Sequence, residues 1–528
     1  MLKIYDTTLR DGSQKQGISF STEDKLRITK ELDKLGVDYV EGGWPGSNPK
    51  DIEYFERVRD IKFKNIKVVA FGSTRKANIN VENDNNLNEI INSGVKVATI
   101  FGKTWDLHVE VALKTTLEEN LRMIESSIKY LKENGLEVHF DAEHFFDGFK
   151  ANREYALEVI EAAKRGGADS IVFCDTNGGT LPYEIRDIIN EVKSMINCEM
   201  GIHAHNDSEL AVANSLTAFE QGITQIQGTI NGYGERCGNA SLSSIIPNII
   251  LKYDNKLLEK INLRKITEVS RFVSELINSS HPDNLAFVGN SAFTHKAGIH
   301  VSAILKDITT YEHINPNLVG NKREVVVSEL SGRANIIYKA KELGINIDEN
   351  CKEIKNVVKK IKDLEYQGYH FEGADGSFRL LIEKGLNRFK ELFELKSARI
   401  ITEKRQNEGS YSEVSIKVNI DGKEVHTASG GNGPVNALDK AIRKALVYFY
   451  PEIDNFYLVN YKVRVLDSND GTEANVRVLI ETSDGKNNWG TVGASTNIIE
   501  ASWKALVDSI EYGISYSNIK KIKDSKIN

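Results

Sequence analysis

With 528 residues, 40% hydrophobic and 27% charged, the chain has the make-up of a folded globular protein long enough for two or three domains. A net charge of −7 with both signs scattered along the chain offers no basic patch for nucleic acid or for an anionic membrane. The four cysteines (Cys174, Cys198, Cys237, Cys351) form no CxxC pair, the first residues run straight into a strand with no signal peptide, and no apolar run is long enough to cross a bilayer. The expectation is a cytoplasmic protein with neither nucleic acid nor membrane as partner.

In chain order, eight short β-branched segments precede residue 231: Leu2–Thr7, Val37–Glu41, Ile66–Phe71, Val95–Phe101, Leu136–Asp141, Ser170–Cys174, Met200–His205 and Ile223–Ile230. Helical patterns such as Thr22–Leu35, Leu117–Glu133 and Tyr155–Arg165 lie between them. Thr22-Glu23-Asp24-Lys25 reads as a helix start with a capping hydroxyl. Gly36, Gly135 and Gly167 stand where left-handed C-caps belong. Eight strands alternating with helices over about 250 residues predict a (β/α)8 TIM barrel. A doubly wound open sheet is the competitor, but it usually has fewer strands.

A barrel collects its chemistry where strands end, and the polar residues cluster there. Strand one runs into Asp6-Thr7-Thr8-Leu9-Arg10-Asp11-Gly12, and strand two ends at Glu41 before Gly42-Gly43-Trp44. Strand five ends in Asp141-Ala142-Glu143, strand six runs into Thr176, and strand seven carries His203 and His205. Strand eight leads to Asn231-Gly232-Tyr233-Gly234-Glu235-Arg236-Cys237-Gly238-Asn239. Two histidines two apart on a strand point to the same face and suit a divalent metal, against the bland reading of a packed histidine pair. Asp11 and Asn239 reach the same predicted rim, so a mixed N and O set for Zn, Mn, Mg or Co is expected. Arg10 and Asp11 can share one site only if the strand has ended and the chain turns, which Gly12 permits. Glu143 reads as a general base or a solvated loop acid. Thr176 reads as a substrate hydrogen-bond donor or a strand end, and Glu41 as an orienter of Arg10 or a rim cap.

Residues 271–395 read as a linker of helices and short loops, with helical segments at Ile266–Ile277, Val325–Leu330, Ala334–Leu343 and Ile354–Leu364. The linker contributes His295 and His300, with Tyr311 eleven residues beyond the latter. From residue 396 to 528 the pattern turns to alternation and repeats after about 60 residues. Two βββα halves are predicted, with turns at Asp421-Gly422-Lys423-Glu424 and Asp484-Gly485-Lys486-Asn487 and helices at Pro434–Phe449 and Thr496–Ile514. The domain order is therefore a barrel (1–270), a linker (271–395) and a C-terminal α+β domain (396–528).

Taken together, the three glycine- and histidine-bearing motifs resemble the family of α-isopropylmalate, homocitrate and citramalate synthases, over nearly the whole chain. The resemblance implies metal ligands at Asp11, His203, His205 and Asn239, and a transition-state arginine at Arg10 partnered by Glu41. It implies a base-region acid at Glu143, a carboxylate-binding threonine at Thr176, and a linker histidine at His300, with Tyr311 near it, acting on a partner subunit's site. Val301-Ser302 follow His300 where many relatives have an acid. The stretch Val40–Asp51, with Trp44, is most similar to the citramalate-forming branch. The implied reaction is a Claisen condensation of acetyl-CoA with pyruvate, followed by thioester hydrolysis, opening a threonine-independent route to isoleucine. The other branches, using longer 2-oxo acids, and a catalytically dead amino-acid sensor are the alternatives. The C-terminal domain is implied to bind isoleucine and to support a homodimer.

Overall fold

In a computed structural model, the structure describes residues 2–196, 198–253, 255–327, 332–347, 351, 353–405, 409–466 and 473–516. Eight parallel strands close a barrel in simple sequence order: β1 (Lys3–Asp6), β2 (Tyr39–Gly43), β3 (Lys67–Ser73), β4 (Val97–Lys103), β5 (Glu137–Glu143), β6 (Ser170–Asp175), β7 (Glu199–Ala204) and β8 (Gln225–Gly228). Closure is made by β8 against β1, with Lys3 beside Gln225 and Asp6 beside Gly228. Each strand is buried on both faces, by the outer helices and by its own interior, so the strands read as near-continuous apolar runs.

Local signals set the helix ends. The helix Thr22–Leu35 is capped by Ser21, one residue before the expected hydroxyl, in a reciprocal box with Asp24. It stops at Gly36 in the left-handed region (φ 98°), where a Cβ would lie 2.1 Å from the Lys260 carbonyl oxygen, so no other residue fits. Asn48 caps the helix Pro49–Val58, and proline occupies its first turn, where its missing N–H costs nothing. The barrel core is one continuous apolar cluster that includes Ile4, Phe140, Phe173, Ile202 and Ile226.

The chain divides into two compact units: Met1–Phe293 with Ile314–Arg323, and Thr294–His313 with Glu324–Asn528. In the second unit, β9 (Thr294–His295) pairs with β10 (Glu324–Val325). The helix expected at 325–330 is therefore not formed at its start: Glu324 and Val325 are drawn into a two-residue ladder, and residues 328–330 lie outside the described residues. Helices Arg333–Glu342, Glu353–Tyr366 and Asp375–Gly385 follow.

Two three-stranded antiparallel sheets complete the second unit: β11 (Glu394–Arg405), β12 (Gly409–Ile420) and β13 (Lys423–Gly431), then β14 (Tyr457–Val465), β15 (Val476–Ser483) and β16 (Asn488–Ser495). Each is followed by a helix, Pro434–Leu446 and Ile498–Tyr516, packed on it through a shared core of Val414, Ile442, Val478 and Ile510. The two turns differ. Asp421 and Gly422 both take positive φ in a tight hairpin, whereas at the second turn Asp484 accepts from the Lys486 and Asn487 N–H groups and Gly485 alone is left-handed.

Candidate active site and metal centre

Three strand ends, those of β1, β7 and β8, bring the four expected ligands together at the C-terminal rim. After β1 the backbone makes a helical turn, with the N–H groups of Arg10 and Gly12 both donating to the Thr7 carbonyl. That turn, rather than the hinge expected at Gly12, points Arg10 and Asp11 into one site; Gly12 is not among the residues with positive φ. Asn239 is delivered by the glycine loop after β8. Asn231, Gly232, Arg236 and Gly238 all take positive φ, and the end of the loop bridges back to the chain after β7, pairing His205 with Asn239. A Cβ at Gly234 would sit 1.8 Å from Asn239 Oδ1, so a side chain there would displace the Asn239 amide.

The resulting cluster is tight and buried. His203 Nε2 is 3.1 Å from Asp11 Oδ2 and 3.3 Å from His205 Nε2. Asn239 Nδ2 donates to Asp11 Oδ2 at 2.9 Å and lies 3.2 Å from His203 Nε2. One ligand atom from each of Asp11, His203 and His205 falls within 4.8 Å of the others. The donor set fits a divalent ion: two imidazoles, a carboxylate, and an amide whose buried Oδ1 lacks a hydrogen-bond partner among the described residues. Turning that amide over would present Oδ1 to the cluster in place of Nδ2. Burial works against the Asp11 charge, but Arg10 and both histidines hold its carboxyl far below the usual range. Burial and the neighbouring His203 lower His205 to about 4, which keeps it neutral and able to ligate.

Arg10 is the next layer. Its Nε donates to Glu41 Oε1 at 2.5 Å, and its guanidinium stacks 3.8 Å from the Phe71 ring centre. Burial alone would lower its pKa; Glu41 and Asp11 outweigh that and raise it. Glu41, fully buried, also accepts the Tyr5 hydroxyl at 2.7 Å, so it orients Arg10 while held from below. A cavity of about 250 Å³ opens beside Arg10, Asp11, His203 and His205. Its far wall is Trp44, Phe71 and Phe101, three rings with centres 5.6 to 5.8 Å apart. Trp44 is fixed by its indole N–H on Asn86 Oδ1 (2.6 Å) and its backbone N–H on Asp51.

Glu143 and Thr176 also line this cavity. Glu143 is ion-paired to Lys103. Thr176 Oγ1 accepts the His144 N–H at 2.9 Å, leaving its own hydrogen free for another acceptor. His144 itself is left-handed (φ 59°), so the close of β5 is a strained turn that sets Thr176. His300 and Tyr311 belong to the second unit, where their rings stack with centres 4.0 Å apart.

Several residues of the site were given no role from the sequence, although Asp141 and Arg236 stand in the strand-end motifs. Phe71, Phe101, Lys103, Asp141, Gln227 and Arg236 stand at the cavity or directly behind it. Arg236 clamps Asp207 through two hydrogen bonds (2.7 and 2.9 Å) and the Thr176 carbonyl through a third, tying the glycine loop to the ends of β6 and β7. A signal for part of the set existed. His139-x-Asp141-x-Glu143 on β5 and Gln225-x-Gln227 on β8 place polar residues at every second position of strands that are otherwise apolar. Polar side chains at period two on a barrel strand face the interior.

Comparisons with known proteins agree along the whole length. Residues 1–273 match the HMGL-like family, residues 287–368 the homocitrate synthase post-HMGL domain-like family, and residues 372–514 the LeuA allosteric (dimerisation) domain. The chain is 55% identical to the (R)-citramalate synthase of Aquifex aeolicus, covering 96% of this chain and 97% of that one. It is 52% identical to the (R)-citramalate synthase of Geobacter sulfurreducens, covering 100% and 99%. The 2-isopropylmalate synthase of Methanocaldococcus jannaschii is 33% identical, over 96% and 93%. The fold, the three consecutive domain matches and the full-length identities converge: the chain belongs to the HMGL-like family, and within it to the (R)-citramalate synthases.

Proposed function

We propose that this enzyme condenses acetyl-CoA with pyruvate and water to give (R)-citramalate and CoA, with Asp11, His203, His205 and Asn239 holding a divalent metal. The observation that carries the reading is the small cavity that joins this ligand cluster and Arg10 on one side to three aromatic rings on the other. A 2-oxo acid needs both: polar groups for its carboxylate and keto oxygens, and an apolar wall for its methyl. The volume of about 250 Å³ lies below the ~300–1,000 Å³ of drug-sized pockets and suits a short oxo acid.

When bound, the divalent ion supplies Lewis-acid polarisation of the keto carbonyl. Thr176 donates its free hydroxyl hydrogen to the substrate carboxylate. Arg10, fixed by Glu41 and Phe71, places its guanidinium where negative charge grows on the keto oxygen as the acetyl carbon adds. That carbon first loses a proton to a base. Glu143 is the cavity-lining candidate, held in place by its ion pair with Lys103. His300, stacked on Tyr311, is the second acid–base candidate on its family correspondence. A water then cleaves the thioester, releasing CoA and a proton, and this hydrolysis drives the sequence forward. Free-thiol release measured with pyruvate, 2-oxobutanoate and 2-oxoisovalerate tests the reading. Pyruvate is expected to give the highest kcat/KM; ready turnover of 2-oxoisovalerate without turnover of pyruvate refutes it.

The C-terminal unit serves regulation and assembly. On β14, Tyr461, Val463 and Val465 pair with Ile480, Val478 and Val476, so they share the helix-facing side of the sheet, yet they are 39 to 54% exposed. A second copy of the chain covering this edge accounts for a homodimer. The effector is proposed to be isoleucine, the end product expected of a citramalate route. Loss of isoleucine inhibition is the measurement: a full-length enzyme whose turnover and melting temperature both ignore isoleucine removes that assignment. The four cysteines are unpaired among the described residues, in keeping with a cytoplasmic enzyme.

A further inference from the structure

Behind the ligand cluster, three interior side chains from three different strands form a line. His203 on β7 is paired in the ladder with Gln227 on β8, and its Nδ1 lies 2.9 Å from Gln227 Oε1. Gln227 Nε2 in turn donates to Asp141 Oδ1, on β5 across the barrel, at 3.1 Å. All three are buried, Gln227 completely.

We infer that Gln227, held in one orientation by Asp141, is a positioning residue that fixes the tautomer of His203 and aims its Nε2 lone pair at the metal. An amide side chain can present either its oxygen or its NH2 to a neighbour, and the network decides which. Gln227 Nε2 faces Asp141 Oδ1 and donates to it, so Asp141 takes the NH2 of Gln227. The amide oxygen is thereby turned towards His203. An acceptor opposite Nδ1 requires the proton on Nδ1, and the lone pair is left on Nε2. Nε2 is the atom that faces Asp11, His205 and Asn239. His205 offers the contrast: its buried Nδ1 has no hydrogen-bond partner among the described residues, so nothing comparable sets its tautomer. The bland account, two polar residues filling the barrel interior, leaves unexplained why the chain from His203 alternates acceptor and donor in the one order that frees Nε2.

The inference rests on the reading of His203 as a ligand, and the experiment separates the two. Full-length protein stripped of metal by chelation is titrated with Co²⁺ by calorimetry, and the visible absorption of the complex is recorded. Gln227→Met keeps the volume and removes the acceptor; it is expected to weaken Co²⁺ binding about 10–100-fold and to alter the visible bands. Asp141→Asn combined with Gln227→Glu exchanges donor and acceptor between the two positions, conserves charge, and keeps an acceptor on His203. This pair is expected to bring affinity back to within ~3-fold of the parent, well inside the usual loss. Asp141→Asn alone lets the Gln227 amide turn and is expected to weaken binding less than Gln227→Met does. Parental affinity and spectrum in Gln227→Met overturn the inference. A double variant that melts like the parent yet binds as weakly as Gln227→Met also overturns it, because the loss then follows packing and not the acceptor. His203→Ala is the separate control: if it binds Co²⁺ as the parent does, the ligand assignment itself fails, whatever Gln227 does.

Discussion

The two ends of the barrel are both rich in charge and use it in opposite ways. At the N-terminal end the charges form pairs at the solvent edge: Lys3 with Glu199, Lys67 with Glu137, and Lys132 with Asp169, at 2.5 to 2.6 Å. A hollow of about 1060 Å³ lies there, the larger of the two by volume, and it is lined by Lys3, Lys132, Glu137, Asp169 and Glu199 among others. Each of its acids already has a basic partner, so the hollow holds no convergent chemistry. At the C-terminal end Arg10, Asp11, Glu41, Asp141 and two histidines crowd around about 250 Å³ with three acids to one arginine, and the buried His205 Nδ1 and Asn239 Oδ1 keep no hydrogen-bond partner among the described residues. Size therefore misleads here, and unsatisfied convergence marks the site.

The sharpest way to break this comparison is to remove charge from each end in turn. Arg10→Gln keeps polar contact but deletes the cation proposed to face the growing negative charge; kcat is expected to fall ~10²–10³-fold, and the melting temperature to fall as well because the fully buried Glu41 loses its cation. Steady-state thiol release checks it, and a loss under tenfold would move the transition-state role elsewhere. Next in size is the wall. Phe71→Ala opens the apolar side of the cavity, and a methylene of added room is worth about 1–3 kcal/mol in such a pocket. The ratio of kcat/KM for 2-oxobutanoate over pyruvate is expected to rise ~10-fold or more, although both values drop because Phe71 also supports Arg10.

The pH dependence of stability should carry opposite signs at the two ends. At the bottom, His139, then Lys67 and Tyr39, hold Glu137 well below the usual carboxylate range against the effect of burial. A depressed folded pKa adds stability that is present above the ordinary carboxylate range and is lost as pH falls. At the top, burial pushes Asp6 up to about 7, against the hydrogen bonds from Thr8. The folded state then keeps a proton that the unfolded chain gives up, so stability declines as pH rises from ~4 through about 7. Asp6→Asn is expected to flatten that decline. Melting temperatures of metal-free parent and variant between pH 5 and 8 check it, and parallel curves would sink the assignment.

The smallest effect belongs to the bottom pairs. Glu199→Gln breaks the Lys3 pair, both members of which are partly exposed, and should change stability by under ~1 kcal/mol and kcat not at all. A measurable loss of turnover from this change would erase the contrast between the ends.

Much of this was legible in one sequence. The eight strand segments fall within a few residues of the observed strands, and two helices, Thr22–Leu35 and Leu117–Glu133, coincide with their predicted bounds. Alternation of strand and helix forces parallel pairing, and parallel strands buried on both faces write themselves as apolar runs. Errors arose where a neighbour overrode local preference. Glu324–Val325 joined a ladder with Thr294–His295 in place of starting a helix, and the turn expected at Gly12 was made earlier by hydrogen bonds to the Thr7 carbonyl.

By itself, then, the sequence determined the barrel, the rim on which Arg10, Asp11, Glu143, Thr176, His203, His205 and Asn239 stand, and the repeated C-terminal halves. It did so because periodicity and strand-end motifs are local properties. Tertiary structure alone decided what lies across from them. Phe71 and Phe101 become a wall only when β3 and β4 curve round to face Arg10. Asp141 and Gln227, separated by 86 positions, become a line behind His203 only when the barrel closes. Ring closure converts distances along the chain into contacts through the interior, and no window of neighbouring residues carries that information.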